Sequence, residues 1–67
     1  MITIKVNQEN HKFLNNITIK ELVEFLKVQT NGIAIAVNNS VIKRSDWSDR
    51  LLDNNDDILI IKSTQGG

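Results

Sequence analysis

The stretch Ile17-Thr18-Ile19-Lys20-Glu21-Leu22 constrains the fold more tightly than any other. Glu21 follows Thr18 by three positions, the spacing at which each side chain satisfies the other's free backbone N–H at a helix start. Ile17 before the cap and Leu22 four positions after it form the hydrophobic staple that fixes how the chain enters the helix. Ile19, Leu22, Val23 and Leu26 then recur at i, i+3, i+4 and i+7, while Lys20, Glu21 and Glu24 take the other side. The pattern predicts one amphipathic helix of about ten residues, ending before Asn31-Gly32, where glycine can adopt the left-handed stop conformation. A single helix with one apolar stripe needs a partner layer, and strands must supply it.

The strand patterns lie on both sides of the helix. Ile2, Ile4 and Val6 alternate with Thr3 and Lys5, the period of a half-buried strand. Asn7-Gln8-Glu9-Asn10 reads as a polar turn and His11-Lys12-Phe13-Leu14 as a short return strand. Ile33-Ala34-Ile35-Ala36-Val37 is continuous and β-branched, as in a central strand. Asn38-Asn39 is a turn before the brief strand Val41-Ile42. Ser45 to Leu52 reads as a single helical turn or a packed loop, and Asp53 to Asp57 as a polar turn. Ile58–Ile61 is the last strand, again central in character. The order β-β-α-β-(β)-β is an α+β layout: one helix on a small mixed sheet of four to five strands. Residues 1–62 form the domain, and residues 63–67, without an apolar anchor, form a C-terminal tail.

Composition narrows the function. The 67 residues include no cysteine, so thiolate metal sites, disulfides and cysteine nucleophiles are excluded. One histidine gives no basis for a metal site. Eight basic and eight acidic side chains cancel, which argues against a partner bound by phosphate neutralisation, so no nucleic acid is expected. No apolar run approaches the roughly 20 residues of a membrane span, and no membrane partner is expected. A domain this small does not enclose a substrate; a carrier, adaptor or binding module in the cytoplasm, or in a plastid stroma, is expected rather than a free-standing enzyme.

The candidate chemistry lies in Ser63-Thr64-Gln65-Gly66-Gly67. Glycine has no Cβ, so such an end can thread a narrow channel and adopt whatever backbone angle a partner's active site needs. Five extended residues reach about 17 Å. A terminal carboxylate is a poor electrophile until it becomes a mixed anhydride such as an acyl-adenylate, after which a nucleophile displaces the nucleotide. The chain has no Gly-rich phosphate loop, so a partner must perform the activation. On its own the di-glycine is equally compatible with an inert end.

Particular blocks carry a resemblance over nearly the whole chain. They are Ala34-Ile35-Ala36-Val37-Asn38, Val41-Ile42-Lys43-Arg44-Ser45-Asp46-Trp47, Leu51-Leu52, Asp56-Asp57-Ile58-Leu59-Ile60-Ile61 and Gly66-Gly67. Together they resemble the sulfur carrier family of thiamine biosynthesis, the ThiS family of ubiquitin-like β-grasp proteins. Lys43 stands where the family usually has proline, and Asn55-Asp56 where Gly-Asp is usual. The resemblance implies a protein co-substrate with no bound cofactor and no catalytic residue of its own. A ThiF-like adenylyltransferase would use ATP to adenylate Gly67, and a persulfide donor would supply the sulfur of a thiocarboxylate. Thr64, Gln65 and Gly66 would thread the partner sites, and a ThiG-like thiazole synthase would take the sulfur. A molybdopterin-synthase small subunit, another ubiquitin-like sulfur donor and an inert β-grasp module remain alternatives.

Strand parity adds a docking surface. If Ile58 and Ile60 face the helix, Leu59 and Ile61 face away, and Ala34 and Ala36 join them. Leu59, Ile61, Ala34 and Ala36, with Arg44 from the family block, are the expected partner-docking patch; the competing reading covers this face with Ser45–Leu52. Trp47 reads as a plug over the sheet edge. Asp53-x-Asn55-x-Asp57 fails as a calcium loop, having Ile58 at the glycine position and Thr64 at the glutamate position. His11 has no ligand partners in the pattern and reads as structural or solvent-facing.

Overall fold

A computed structural model describes residues 1–62. The expected tail, Ser63 to Gly67, lies outside the described residues. Strand β1 (Ile2–Val6) turns back into β2 (Glu9–Phe13), followed by helix α1 (Ile19–Leu26), β3 (Ile33–Val37), β4 (Ser40–Ile42) and β5 (Asp57–Lys62). A short 3-10 turn spans Arg44–Asp46. The five strands form one sheet in the order β2-β1-β5-β3-β4. β1 runs parallel to β5 and the other pairs are antiparallel. The mixed sheet has the expected upper strand number, and β5 lies at its centre.

Alternation decides what is buried. Ile2, Ile4 and Val6 of β1, Ile35 and Val37 of β3, and Ile58 of β5 point to the helix side and are buried. Ile19, Leu22 and Val23 of α1 close over them, and Trp47 and Leu52 complete the cluster. The helix begins as expected: Thr18 accepts from the Glu21 N–H at 3.1 Å, and the Glu21 carboxylate accepts from the Thr18 N–H at 2.8 Å. Residues 45–52 pack on the helix side, where Lys20 N–H donates to the Trp47 carbonyl, Ile19 N–H to that of Arg50, and Leu52 N–H to that of Ile17.

Two boundaries differ from the sequence reading. The first turn is only Asn7-Gln8, both at positive φ (48° and 70°), so Glu9 and Asn10 belong to β2. Two successive positive φ values make the tight hairpin turn whose twist matches the flanking strands. Leu14 consequently falls beyond the strand and is exposed. The helix stops at Lys27, at φ 57° and ψ 39°, well before Gly32. Its N–H caps the carbonyls of Glu24 and Val23, the usual role of a left-handed glycine taken here by a side-chain-bearing residue.

Both family departures fit their backbone. Lys43 has φ −62°, the angle a proline ring imposes. Asn55 has φ 70°, left-handed like a turn glycine, and asparagine is among the residues that tolerate this.

Candidate functional site

The described part of the candidate site is the end of β5 and the sheet face beside it. β5 is held from both sides. On one side its register with β3 runs from Val37↔Ile58 to Ile33↔Lys62. On the other, β1 pairs only to Val6↔Ile58, and Asn7 then extends the contact. Its N–H donates to the Ile58 carbonyl at 2.9 Å, and its side-chain Oδ1 accepts from the Ile60 N–H at 2.8 Å. Asn7 thus replaces a missing ladder rung, so β5 is anchored on both flanks to within two residues of Lys62.

A second set of bonds fixes the start of β5. Asn38 Nδ2 donates to Asp56 at 3.0 Å and its Oδ1 accepts from the Asp57 N–H at 3.0 Å. Asp53 accepts from Asn16, and Asn54 accepts from the Thr3 N–H, each at 2.7 Å. The acidic turn is therefore occupied with protein donors, and no group of three or more potential metal ligands occurs among the described residues.

The open face follows the expected parity. Cross-strand pairing sets Leu59 opposite Ala36 and Ile61 opposite Ala34. Leu59 is 49% exposed and Ile61 45% exposed. The Ser45–Leu52 segment does not cover them, since it packs on the helix side. Ala36 is a correction: it lies on this face but is buried, forming a floor beneath larger neighbours. Ala34 is half-buried. The sequence reading missed Val41, which pairs with Ala36 on the same face and is 69% exposed. The parity of β4 carried that information, because Ile42 packs against the core and Val41 must point away. The ridge is therefore Val41, Leu59 and Ile61 over an alanine floor. Lys5 and Lys12, at positions alternating with the buried residues of β1 and their partners, share the open side.

Arg44 does not join this patch. Its guanidinium lies 5.1 Å over the Trp47 ring and donates to the Thr30 carbonyl. Trp47 is buried with its Nε1 donating to the Ile42 carbonyl at 3.2 Å. Arg44 thus clasps the loop before β3 to the tryptophan on the helix side. Thr64, Gln65, Gly66 and Gly67 lie outside the described residues.

A single helix gripped by a mixed sheet, with the last strand central and an apolar ridge beside its end, is the ubiquitin-like β-grasp architecture. A family model for the ThiS family matches residues 4–67. The Escherichia coli (strain K12) sulfur carrier protein ThiS is 32% identical over 50 residues, covering 75% of this chain and 76% of that protein. The chain therefore belongs to the ThiS family, the sulfur carriers of thiamine biosynthesis, small proteins acted on by partner enzymes. The fold agrees. A crystal structure of the thiamine biosynthesis protein (ThiS) from Geobacter metallireducens superimposes with TM-score 0.86 at 20% identity, covering 98% of this chain and all of that one. An NMR structure of a thiamine biosynthesis protein from the same organism gives TM-score 0.78 at 19% identity, covering 98% and 88%. Among the described residues no helix is long and apolar enough to cross a membrane.

Proposed function

We propose that the C-terminal carboxylate of Gly67 is the sulfur-carrying group. The observation that carries this reading is the family match, which runs through Gly66-Gly67, on a fold whose central strand ends at Lys62. In the first step a carboxylate oxygen attacks the α-phosphorus of ATP on a ThiF-like adenylyltransferase. Pyrophosphate leaves and an acyl-adenylate forms. A persulfide sulfur then attacks the carbonyl carbon and AMP leaves. A thiol cleaves the resulting S–S bond, and the thiocarboxylate is released. A ThiG-like thiazole synthase consumes it. The chain itself binds no ATP; Thr64, Gln65 and Gly66 thread the partner sites. The reaction is set in the cytoplasm, where ATP is available.

The ridge of Val41, Leu59 and Ile61 is the docking surface for these enzymes. It is apolar and exposed and it flanks the strand that delivers the tail. Arg44, engaged by Trp47 and Thr30, serves the fold.

Intact-mass spectrometry tests the chemistry. Incubation with ATP and the adenylyltransferase should add an adenylyl group. A persulfide donor and a thiol should then leave a protein heavier by the difference between sulfur and oxygen. An unchanged mass would identify an inert interaction module. A chain without Gly66-Gly67 that still supported growth without thiamine would refute the carrier role.

A further inference from the structure

We infer that Asn31 is a site of spontaneous deamidation, through which this carrier ages at a single defined position. Asn31-Gly32 has the residue order of a helix stop, yet the helix ends at Lys27, leaving the pair without that role. Asn31 and Gly32 form an exposed turn between α1 and β3. Deamidation at asparagine requires the next residue's backbone nitrogen to reach the side-chain amide carbon. A following glycine permits this best, because no Cβ obstructs the approach and the backbone is free to rotate. Gly32 sits at φ 73°, and among the described residues, its own chain neighbours aside, no atom lies within 4 Å of where a Cβ would be. Neither the Gly32 N–H nor the Asn31 side chain makes a hydrogen bond among the described residues.

Four of the eight other asparagines are restrained by side-chain hydrogen bonds. Asn38 is held through both side-chain atoms, Asn7 and Asn54 through their Oδ1, and Asn16 through its Nδ2. None of the other asparagines precedes a glycine. Ring formation there must therefore overcome a neighbouring side chain, a hydrogen bond or both.

The steps balance without any oxidant. The Gly32 nitrogen bonds to Asn31 Cγ, the C–NH2 bond breaks, and ammonia leaves carrying the proton from that nitrogen. Water then opens the five-membered imide at either carbonyl. One opening gives aspartate; the other gives isoaspartate, whose main chain runs through Cβ. Either product takes the formal net charge from zero to minus one at neutral pH. The isoaspartate also lengthens the backbone two residues before Ile33, the residue paired with Lys62 at the end of β5.

The experiment is incubation of the folded protein at mildly alkaline pH, followed by peptide mass mapping and enzymatic methylation specific for isoaspartate. The expected result is a mass gain equal to exchange of an amide for an acid. It should accumulate at residue 31 several-fold faster than at any other asparagine, and Asn31→Gln should lose both this gain and the methyl acceptance. A urea-unfolded sample run in parallel reports the rate set by sequence alone. If Asn31 stays intact in the folded protein while the unfolded chain reacts there, or if the gain is spread evenly over the asparagines, the inference is overturned.

Discussion

The two faces of β5 are built from the same kinds of side chain and do opposite work. Ile58 points under the helix and is fully buried; Leu59, one residue on, is half exposed on the other side of the sheet. The helix side closes over Ile4, Ile19, Leu22, Ile35, Leu52 and Ile58, while the open side keeps Val41, Leu59 and Ile61 in contact with solvent. The difference is one of coverage: a single helix and the 45–52 segment can cover only one face. A small domain thus acquires a stable core and an apolar surface from one strand, separated by a single residue of register.

The most severe way to break this contrast is to delete side chains at neighbouring positions. Ile58→Ala should cost about 2–5 kcal/mol, the range for a fully buried isoleucine, whereas Leu59→Ala should cost about 1 kcal/mol or less because half of its surface is already wet. Chemical denaturation of the pair measures both. Thr18→Ala removes the cap that starts the covering helix and should cost about 1 kcal/mol, read as an earlier melting midpoint. Lys43→Pro acts in the opposite direction. The backbone angle already suits proline and the Lys43 N–H makes no hydrogen bond among the described residues, so a gain of about 0.4–1 kcal/mol is expected. Leu59→Asp sharpens the comparison: it should retain the circular dichroism and cooperative melting of the folded domain while losing binding to the adenylyltransferase and the synthase. Retained binding to both would remove the open ridge from the docking surface.

The core was readable because its rules are periodic. Alternation in β1 and β5 and the cap at Thr18 divide buried from exposed positions, and in β3 alternation gives the facing of each residue but not the burial of Ala36, which depends on the larger side chains around it. The misplaced boundaries share a cause. Glycine is absent from the chain before Gly32, so its turns rely on asparagine, and on Gln8 and Lys27, at positive φ. A left-handed lysine carries no sequence signal, and the helix end was placed at the next glycine instead. Arg44 was assigned to the patch by its neighbours in the chain, whereas its position is decided by Trp47 and Thr30, contacts that arise only once the loop before β3 has folded. Val41 was legible from parity, but a three-residue strand offers little pattern to read.

The position of β5 has a consequence for how the molecule is made. Until residues 57–62 have been synthesised, β2-β1 and β3-β4 are separate two-stranded ribbons, each marginal in water on its own. The strand that joins them follows all four of the others in the chain. A chain interrupted before residue 57 therefore holds two loose ribbons in place of one sheet, and neither the closed core nor the apolar ridge exists until that strand is inserted.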